Sequence, residues 1–296
     1  MAKNKIRISA GEKVGSTINL LLLIGFTFVC LFPLLNTLAN AFSSDLAIAQ
    51  GRVTLWPVEF QLDSMVLVAT NAAVLRSLGV TVFVTVVGTA ISMMLTILMA
   101  YPLSRKDLKH RNKMTFYALI TMLFQAGMIP TFMVVNRLGL INNLLAIILP
   151  TAVSVWNLLI LKTFFQSVPK ELQESASIDG CGNWRILFQI MLPLSLPALA
   201  TLSLFYAVGY WNSFMAAMIY INDPNLFTLQ VRLWNLVVAG QMGALTAGAD
   251  AEMVATLSPQ ALQASTVIFA TVPILLVYPW LQKYFVKGVT IGAVKG

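Results

Sequence analysis

Charge is what this chain has least of. Only 10% of its 296 residues are Asp, Glu, Lys or Arg, where a typical soluble chain carries about 25%. The shortage is concentrated: no charged residue falls in 14–44, 77–104, 114–136, 138–161, 186–222 or 253–282. Apolar residues make up 58% and the mean hydropathy is +0.82, which excludes an ordinary soluble domain. Cysteine is nearly absent. Cys30 lies in the first apolar run and Cys181 in a loop on the inner side, so the two cannot pair and there is no disulfide framework. There is one histidine, His110, with no ligand types near it in sequence, so no metal site is expected. The dipeptide Gly-Lys does not occur, which removes the P-loop and with it ATP binding by that route. Nothing suggests a catalytic site.

The six charge-free runs are each long enough to cross a bilayer, since about 20 apolar residues span the hydrocarbon core. Spans are expected at about 18–38, 77–101, 114–135, 144–165, 196–220 and 263–285. They contain no ionisable residue except Lys162, near the inner end of span four, which can snorkel to the interface. Ion-coupled carriers place ionisable groups inside the membrane, so the chain shows no relay of its own. A transporter of this kind takes its energy from another subunit. A channel, which needs none, stays open as an alternative.

Orientation follows from Lys and Arg. With the N-terminus inside, 15 of the 19 basic residues fall on the inner side, among them Lys3, Lys5, Arg7, Lys13 and the cluster Arg105, Lys106, Lys109, Arg111 and Lys113. The basic balance is therefore topological rather than a nucleic-acid footprint. Lys3–Lys13 before an apolar stretch, with Ala39-Asn40-Ala41 after it, has the outline of a signal peptide. The stretch from Ile18 to Leu38 exceeds the usual apolar region of about 7–15 residues, so it is read as an uncleaved first span. The layout is one transmembrane domain over 1–296, with external loops at 39–76 and 221–262 and an inner loop at 166–195. No internal repeat is visible.

The inner loop is the most informative segment. Ser167 or Val168 can start a helix with Pro169 in its first turn. Glu171 suits the positive end of the helix dipole, Ser175, Ala176 and Ser177 are small enough for another protein to approach the backbone, and Gly180 is placed to end the helix in a left-handed conformation. From about Asn183 a second short helix would put Trp184, Leu187, Phe188 and Met191 on one apolar face. Periodicity alone leaves open whether this helix–turn–helix packs on its own bundle or receives a partner.

Glu174-Ser175-Ala176, three residues, Gly180, nine residues, then Ile190-x-Leu192-Pro193 resembles the EAA loop of ABC importer permeases, E-A-A-x-x-x-G-x9-I-x-L-P. The one departure is Ser175, where that family usually has alanine. The tail Gln282–Gly296 is similar to that of maltose-type sugar permeases, nearest the branch handling oligosaccharides and polysaccharide fragments, with an alginate importer's membrane subunit as one specific reading. The resemblance implies an all-α integral membrane protein of the type I importer fold, with six transmembrane helices and a coupling helix between the fourth and fifth. It implies ATPase coupling through Glu171, Glu174, Ser175, Ala176, Asp179, Gly180, Ile190, Leu192 and Pro193. Gly288, Gly292, Lys295 and Gly296 would then lie at the ATPase interface. It further implies a second related permease, two ATPase subunits that bind the ATP and Mg, and an extracytoplasmic binding protein, in a bacterial inner membrane with both termini cytoplasmic. The stretch Ala239–Ala249 resembles in position the loop that reaches into the binding-protein cleft; a solvent-exposed loop is the other reading. An importer of amino acids, peptides or metals is the alternative cargo class.

A sugar presents hydroxyls to hydrogen-bond and C–H faces to stack on rings. Candidates for its path are Gln125 in span three, Trp156 and Asn157 in span four, and Tyr206, Tyr210, Trp211 and Asn212 in span five. Tyr210, Trp211 and Asn212 are consecutive and cannot share one helical face. Helix packing or interhelical hydrogen bonding is the competing role for each.

Overall fold

The structure, a computed structural model, describes residues 10–237 and 258–293, and of 277–293 the helical backbone only. No strand occurs among the described residues. The chain divides into two compact units, 1–71 with 241–271 and 72–240 with 272–296.

In the first unit, α1 (Ala10–Ala41) is an apolar helix whose membrane-length stretch buries none of its residues; Phe26 is 70% exposed and Leu22 67%. Such a surface marks a face that meets hydrocarbon or a partner's apolar helix. After the helix the chain folds into a compact segment of turns. In it, α2 (Asp45–Ala49) is capped by Ser44, whose hydroxyl accepts from the Ala47 N–H at 3.2 Å. The Ser44 hydroxyl also donates to Glu59 Oε2 at 2.6 Å, and Arg52 donates to Glu59 Oε1 at 2.8 Å. Phe42 stacks on Phe60 at 5.7 Å. α3 (Asp63–Thr70) follows, and the start of α15 (Pro259–Ala293) returns to this unit, where Ser258 N–H donates to Asp45 and Ser265 Oγ to Ala41 O.

The second unit is built on α4 (Ala72–Ser104). Its buried positions include Ser77, Thr81, Val84, Gly88, Ser92, Thr96 and Ala100, a stripe at steps of three and four in which all but Val84 are small or hydroxyl-bearing. Lipid tails are as apolar as leucine, so helices in a membrane associate by close packing and hydrogen bonds, which small residues permit. Against the stripe lie α8 (Val155–Ser167) and α12 (Leu196–Trp211), burying Leu158, Leu161, Phe165, Leu202, Tyr206 and Tyr210.

Three expected spans are broken. Span three is two helices, α5 (Arg111–Leu123) and α6 (Met128–Arg137), bent by 110°. Gly127 at φ +76° makes the corner, and Pro130, which lacks an N–H, is accommodated in the first turn of the new helix. Span four is α7 (Leu145–Ile148) continued by a 3₁₀ turn (Leu149–Thr151) with Pro150, then α8, at 54°. Ser154 caps α8 by accepting from the Asn157 N–H at 3.4 Å. Span five is α12, which ends at Trp211 with a short α13 (Phe214–Tyr220) after it, and its 83° bend lies before it, between Asn183–Leu194 and Leu196–Trp211. Three helices are long and apolar enough to cross a membrane alone, or up to six if each bent pair is one span. The last helix runs to Ala293, past the expected end at 285, so Gly288 and Gly292 belong to its backbone. Lys295, Gly296 and the Ala239–Ala249 loop lie outside the described residues.

Candidate functional site

The loop singled out by its spacing forms α9 (Lys170–Ile178), α10 (Asn183–Ile186), a π turn (Leu187–Met191) and α11 (Leu192–Leu194). The helix start differs from expectation. α8 runs on to Ser167, Val168 is extended at ψ 131°, and α9 begins only after Pro169. The residue before a proline is pushed out of the helical region by the ring, which makes the corner here. The end of α9 is closed by two bonds. Gly180 N–H donates to Ser177 O at 3.1 Å and Cys181 N–H to Ala176 O at 2.9 Å, with Gly180 at φ +82°. This pair is the Schellman motif, which satisfies carbonyls the helix leaves open.

What α9 buries is as informative as how it ends. Of its nine residues only Ala176 is buried; Leu172 is 43% exposed and Ile178 86%. The small residues therefore divide. Ala176 faces the unit's own core, letting α9 sit close to it, while Ser175 and Ser177 are exposed and bond back to Glu171 O and Gln173 O at 2.8 Å each. Glu171, Glu174, Asp179 and Pro193 are exposed. Ile190 and Leu192 pack half-buried against the core, and so does Cys181. The expected apolar face of the second helix also splits. Leu187 and Met191 are buried, whereas Trp184 and Phe188 stay 65% and 59% exposed and stack on each other at 6.3 Å. The wider π turn rotates the chain, so an i, i+3, i+4, i+7 set no longer shares one face.

A residue that sequence reasoning counted only as topological charge holds this hairpin to α4. Arg105 donates from Nε and Nη2 to the Asp107 carboxylate at 3.1 and 3.3 Å, and from Nη1 to Tyr101 OH and Asn183 Oδ1, both at 3.1 Å. The Asp107 hydrogen bond raises the Arg105 pKa, and Arg105 in return holds Asp107 below its ordinary value. No local signal predicted this, because Asn183 lies 78 residues away. Between this loop and α9 opens a cleft of about 790 Å³ whose lining includes Arg105, Lys106, Arg111, Lys170, Glu174 and Ile178. Lys170, within hydrogen-bonding reach of Lys106 and of like charge, pushes the Lys106 pKa down.

The expected path residues are scattered. Gln125 is exposed in the corner between α5 and α6, and Trp156 is 59% exposed at the start of α8. Asn157 is buried. The Tyr206 hydroxyl accepts from the Ser154 N–H at 3.0 Å and pairs with Thr96 Oγ1 at 2.8 Å. The Tyr210 hydroxyl donates to Ile148 O at 3.2 Å and pairs with Ser92 Oγ at 2.8 Å. Both tyrosines thus tie α12 to α4 and to the break in span four. Asn212 donates to Val208 O at 2.9 Å, while the buried Trp211 Nε1 has no partner among the described residues. Among the described residues no group of three or more His, Cys, Asp or Glu could hold a metal ion.

The family described as binding-protein-dependent transport system inner membrane component matches residues 19–291. The polygalacturonan/rhamnogalacturonan transport system permease protein YtcP of Bacillus subtilis is 46% identical, over 93% of this chain and 96% of that protein. The arabinooligosaccharides transport system permease protein AraQ of Halalkalibacterium halodurans is 29% identical, over 96% and 99%. A chain from the crystal structure of a bacterial ABC transporter involved in import of the acidic polysaccharide alginate superposes with a TM-score of 0.86 at 29% identity, covering 94% of this chain and 98% of that one.

Proposed function

We propose a function from one premise: the chain belongs to the family of binding-protein-dependent transport system inner membrane components. It is a permease subunit of a transport system and not an enzyme. The cargo, on this reading, is an oligosaccharide or a fragment of a polysaccharide. Support comes from the relatives named for polygalacturonan/rhamnogalacturonan and arabinooligosaccharide transport, and from the structural likeness to an alginate importer. The chain supplies half of the translocation path as one domain over 1–296. It crosses the membrane six times, with both termini in the cytoplasm of a bacterial cell. A second homologous permease completes the path, and a binding protein delivers the cargo from outside. Two ATPase subunits, which carry the ATP and Mg, grip the inner surface; Gly288, Gly292, Lys295 and Gly296 approach them from the C-terminal end. Of the path candidates, Tyr206 and Tyr210 spend their hydroxyls on other helices, which leaves Gln125, Trp156, Asn157, Trp211 and Asn212 as those whose side chains are not committed to another helix among the described residues.

The observation that carries the coupling role is the bareness of α9. A nine-residue helix is too short to be stable alone, and this one directs Leu172 and Ile178 away from its own unit. A partner surface that covers them accounts for both facts. Glu171, Glu174 and Ser175 then lie in the docked face, Asp179 and Gly180 close it, and Ile190, Leu192 and Pro193 fix the hairpin to the bundle. The test is co-purification of the ATPase subunits from cells expressing the whole importer. Leu172→Asp with Ile178→Asp is expected to cut ATPase recovery at least about tenfold, the equivalent of about 1.4 kcal/mol, while leaving the second permease bound. Full ATPase recovery with that double variant overturns the proposal.

A further inference from the structure

Arg232 is a buried charge. It lies on α14 (Leu229–Val237) in the second unit and is 7% exposed. Its Nε donates to Ser77 Oγ at 3.3 Å and its Nη2 to Pro224 O at 2.8 Å, and the guanidinium stands over the Phe227 ring at 5.4 Å. All three partners are neutral, and no carboxylate pairs with it among the described residues. Asp223, close in sequence, instead accepts from the Asn225 N–H and Nδ2 at 2.9 and 3.0 Å. Burial lowers the Arg232 pKa with no neighbouring charge to oppose it, yet a guanidinium stays protonated in proteins. A buried charge lacking a counter-charge is costly and is ordinarily paired.

The segments flanking Arg232 carry a consistent set of groups. Arg76, at the start of α4, donates to Asn225 Oδ1, one residue from Pro224. Phe214 and Trp234, both half-buried, lie 6.2 Å apart. Trp211 Nε1, Ser213 Oγ and Thr228 Oγ1 are buried without partners among the described residues. A native fold leaves few such atoms unpaired, and these sit on the stretch that leads into α14. One segment of the unit thus combines fixed positive charge, aromatic faces, and donors or acceptors still open. A neutral sugar uses the second and third of these; only an acid uses the first. Arg–carboxylate pairing is the strong, geometrically selective form of that contact.

We infer that Arg232 is a specificity residue of the translocation path, holding the carboxylate of an acidic oligosaccharide through the guanidinium N–H groups that no described residue engages. The inference rests on the permease reading. Its test uses the whole importer, with both permeases, the ATPases and the binding protein, in proteoliposomes. Uptake of a short oligogalacturonide is compared with uptake of its methyl ester, which keeps the ring and hydroxyls but has no negative charge. Arg232→Gln is expected to slow uptake of the acid about 10- to 100-fold, the span of a hydrogen bond to a charged group, and to leave the ester unchanged. Arg232→Lys keeps the charge without the planar fork and is expected to fall between. Equal loss for acid and ester, or loss of a partner subunit from the purified variant, shows a counter-charge supplied by protein and overturns the inference. Unchanged acid uptake overturns it too. A wild-type importer that assembles with its ATPases but moves neither compound overturns the cargo reading along with it.

Discussion

Gly88→Ala is a one-carbon change whose cost follows from the packing of α4 on α12. A Cβ built at residue 88 would come within 2.9 Å of three Tyr210 ring atoms, Cδ2, Cε2 and Cζ. Real Cβ atoms do not approach that closely, so the ring must slide. It is not free to, because its hydroxyl is held at 2.8 Å by Ser92 Oγ and at 3.2 Å by Ile148 O. Overpacking of this kind costs about 1–3 kcal/mol, and a shift that breaks the hydroxyl's bonds adds about 1 kcal/mol. The expected destabilisation is therefore about 2–4 kcal/mol. Tyr210→Phe alone should cost about 1–2 kcal/mol from the lost bonds. With the hydroxyl gone the ring can yield, so Gly88→Ala in that background should cost about 1 kcal/mol less than in the wild type. Residues in contact commonly couple by about 0.5–3 kcal/mol. The assay is the unfolding midpoint of the purified protein in mixed detergent titrated with SDS, for both single variants and the double. Strict additivity, or a neutral Gly88→Ala, would refute the argument that a pinned ring occupies the space.

Two further outcomes follow from single residues. Gly180 sits at φ +82° with open space where a side chain would go, so substitution there meets backbone strain alone. Gly180→Ala is expected to cost about 1–2 kcal/mol and to weaken ATPase recovery, while Gly180→Asn, whose side chain suits the left-handed region, should recover most of it; equal recovery for both refutes the cap. In the 42–60 segment, the Ser44 hydroxyl first and Arg52 second hold the Glu59 carboxyl below its ordinary value. A lowered carboxylate pKa means these bonds persist above the unfolded-state value and are lost only as pH falls through the lower folded-state one. The emission of Trp56, isolated by subtracting a Trp56→Phe spectrum, is therefore expected to change with a midpoint below the usual glutamate value of about 4.3. Ser44→Ala should move that midpoint upward, and a wild-type midpoint at or above the usual value would sink the assignment.

Helical class and membrane character were legible in the sequence because they depend on how far charge-free runs extend, and hydropathy measures length. Direction was not legible. The 110° corner at Phe124–Gly127 lies in an apolar run where Gly127 and Pro130 are both tolerated by an unbroken membrane helix. Only the packing of α5 and α6 decides that they bend. The same holds for Tyr206 and Tyr210. Their position in an apolar run suggested a polar tip facing a passing sugar, yet each hydroxyl closes a bond to a helix more than 50 residues away in sequence. A buried tyrosine needs a partner for its O–H, but the sequence does not say whether ligand or protein supplies it.

In the 166–195 loop, spacing located the segment while contacts divide its residues into two kinds. Ala176, Cys181, Ile190 and Leu192 face inward, and Arg105 clasps Asn183 from the end of α4. Leu172, Glu174 and Ile178 face outward. A helix that is to transmit a push needs both: an outer face soft enough in composition to be gripped, and an inner attachment too well packed to slip. The Schellman bonds at Ser177 O and Ala176 O close the end of α9 with no side chain from elsewhere, so the grip and the attachment are separable by mutation. Changes at Leu172 or Ile178 should release the motor without loosening the bundle. Asn183→Leu, which removes the acceptor for Arg105 but leaves α9 intact, should instead keep the motor bound and lower the uptake obtained per ATP hydrolysed. That ratio, measured in proteoliposomes, distinguishes a joint from a docking surface; an Asn183→Leu importer with unaltered coupling would show that Arg105 merely decorates the loop.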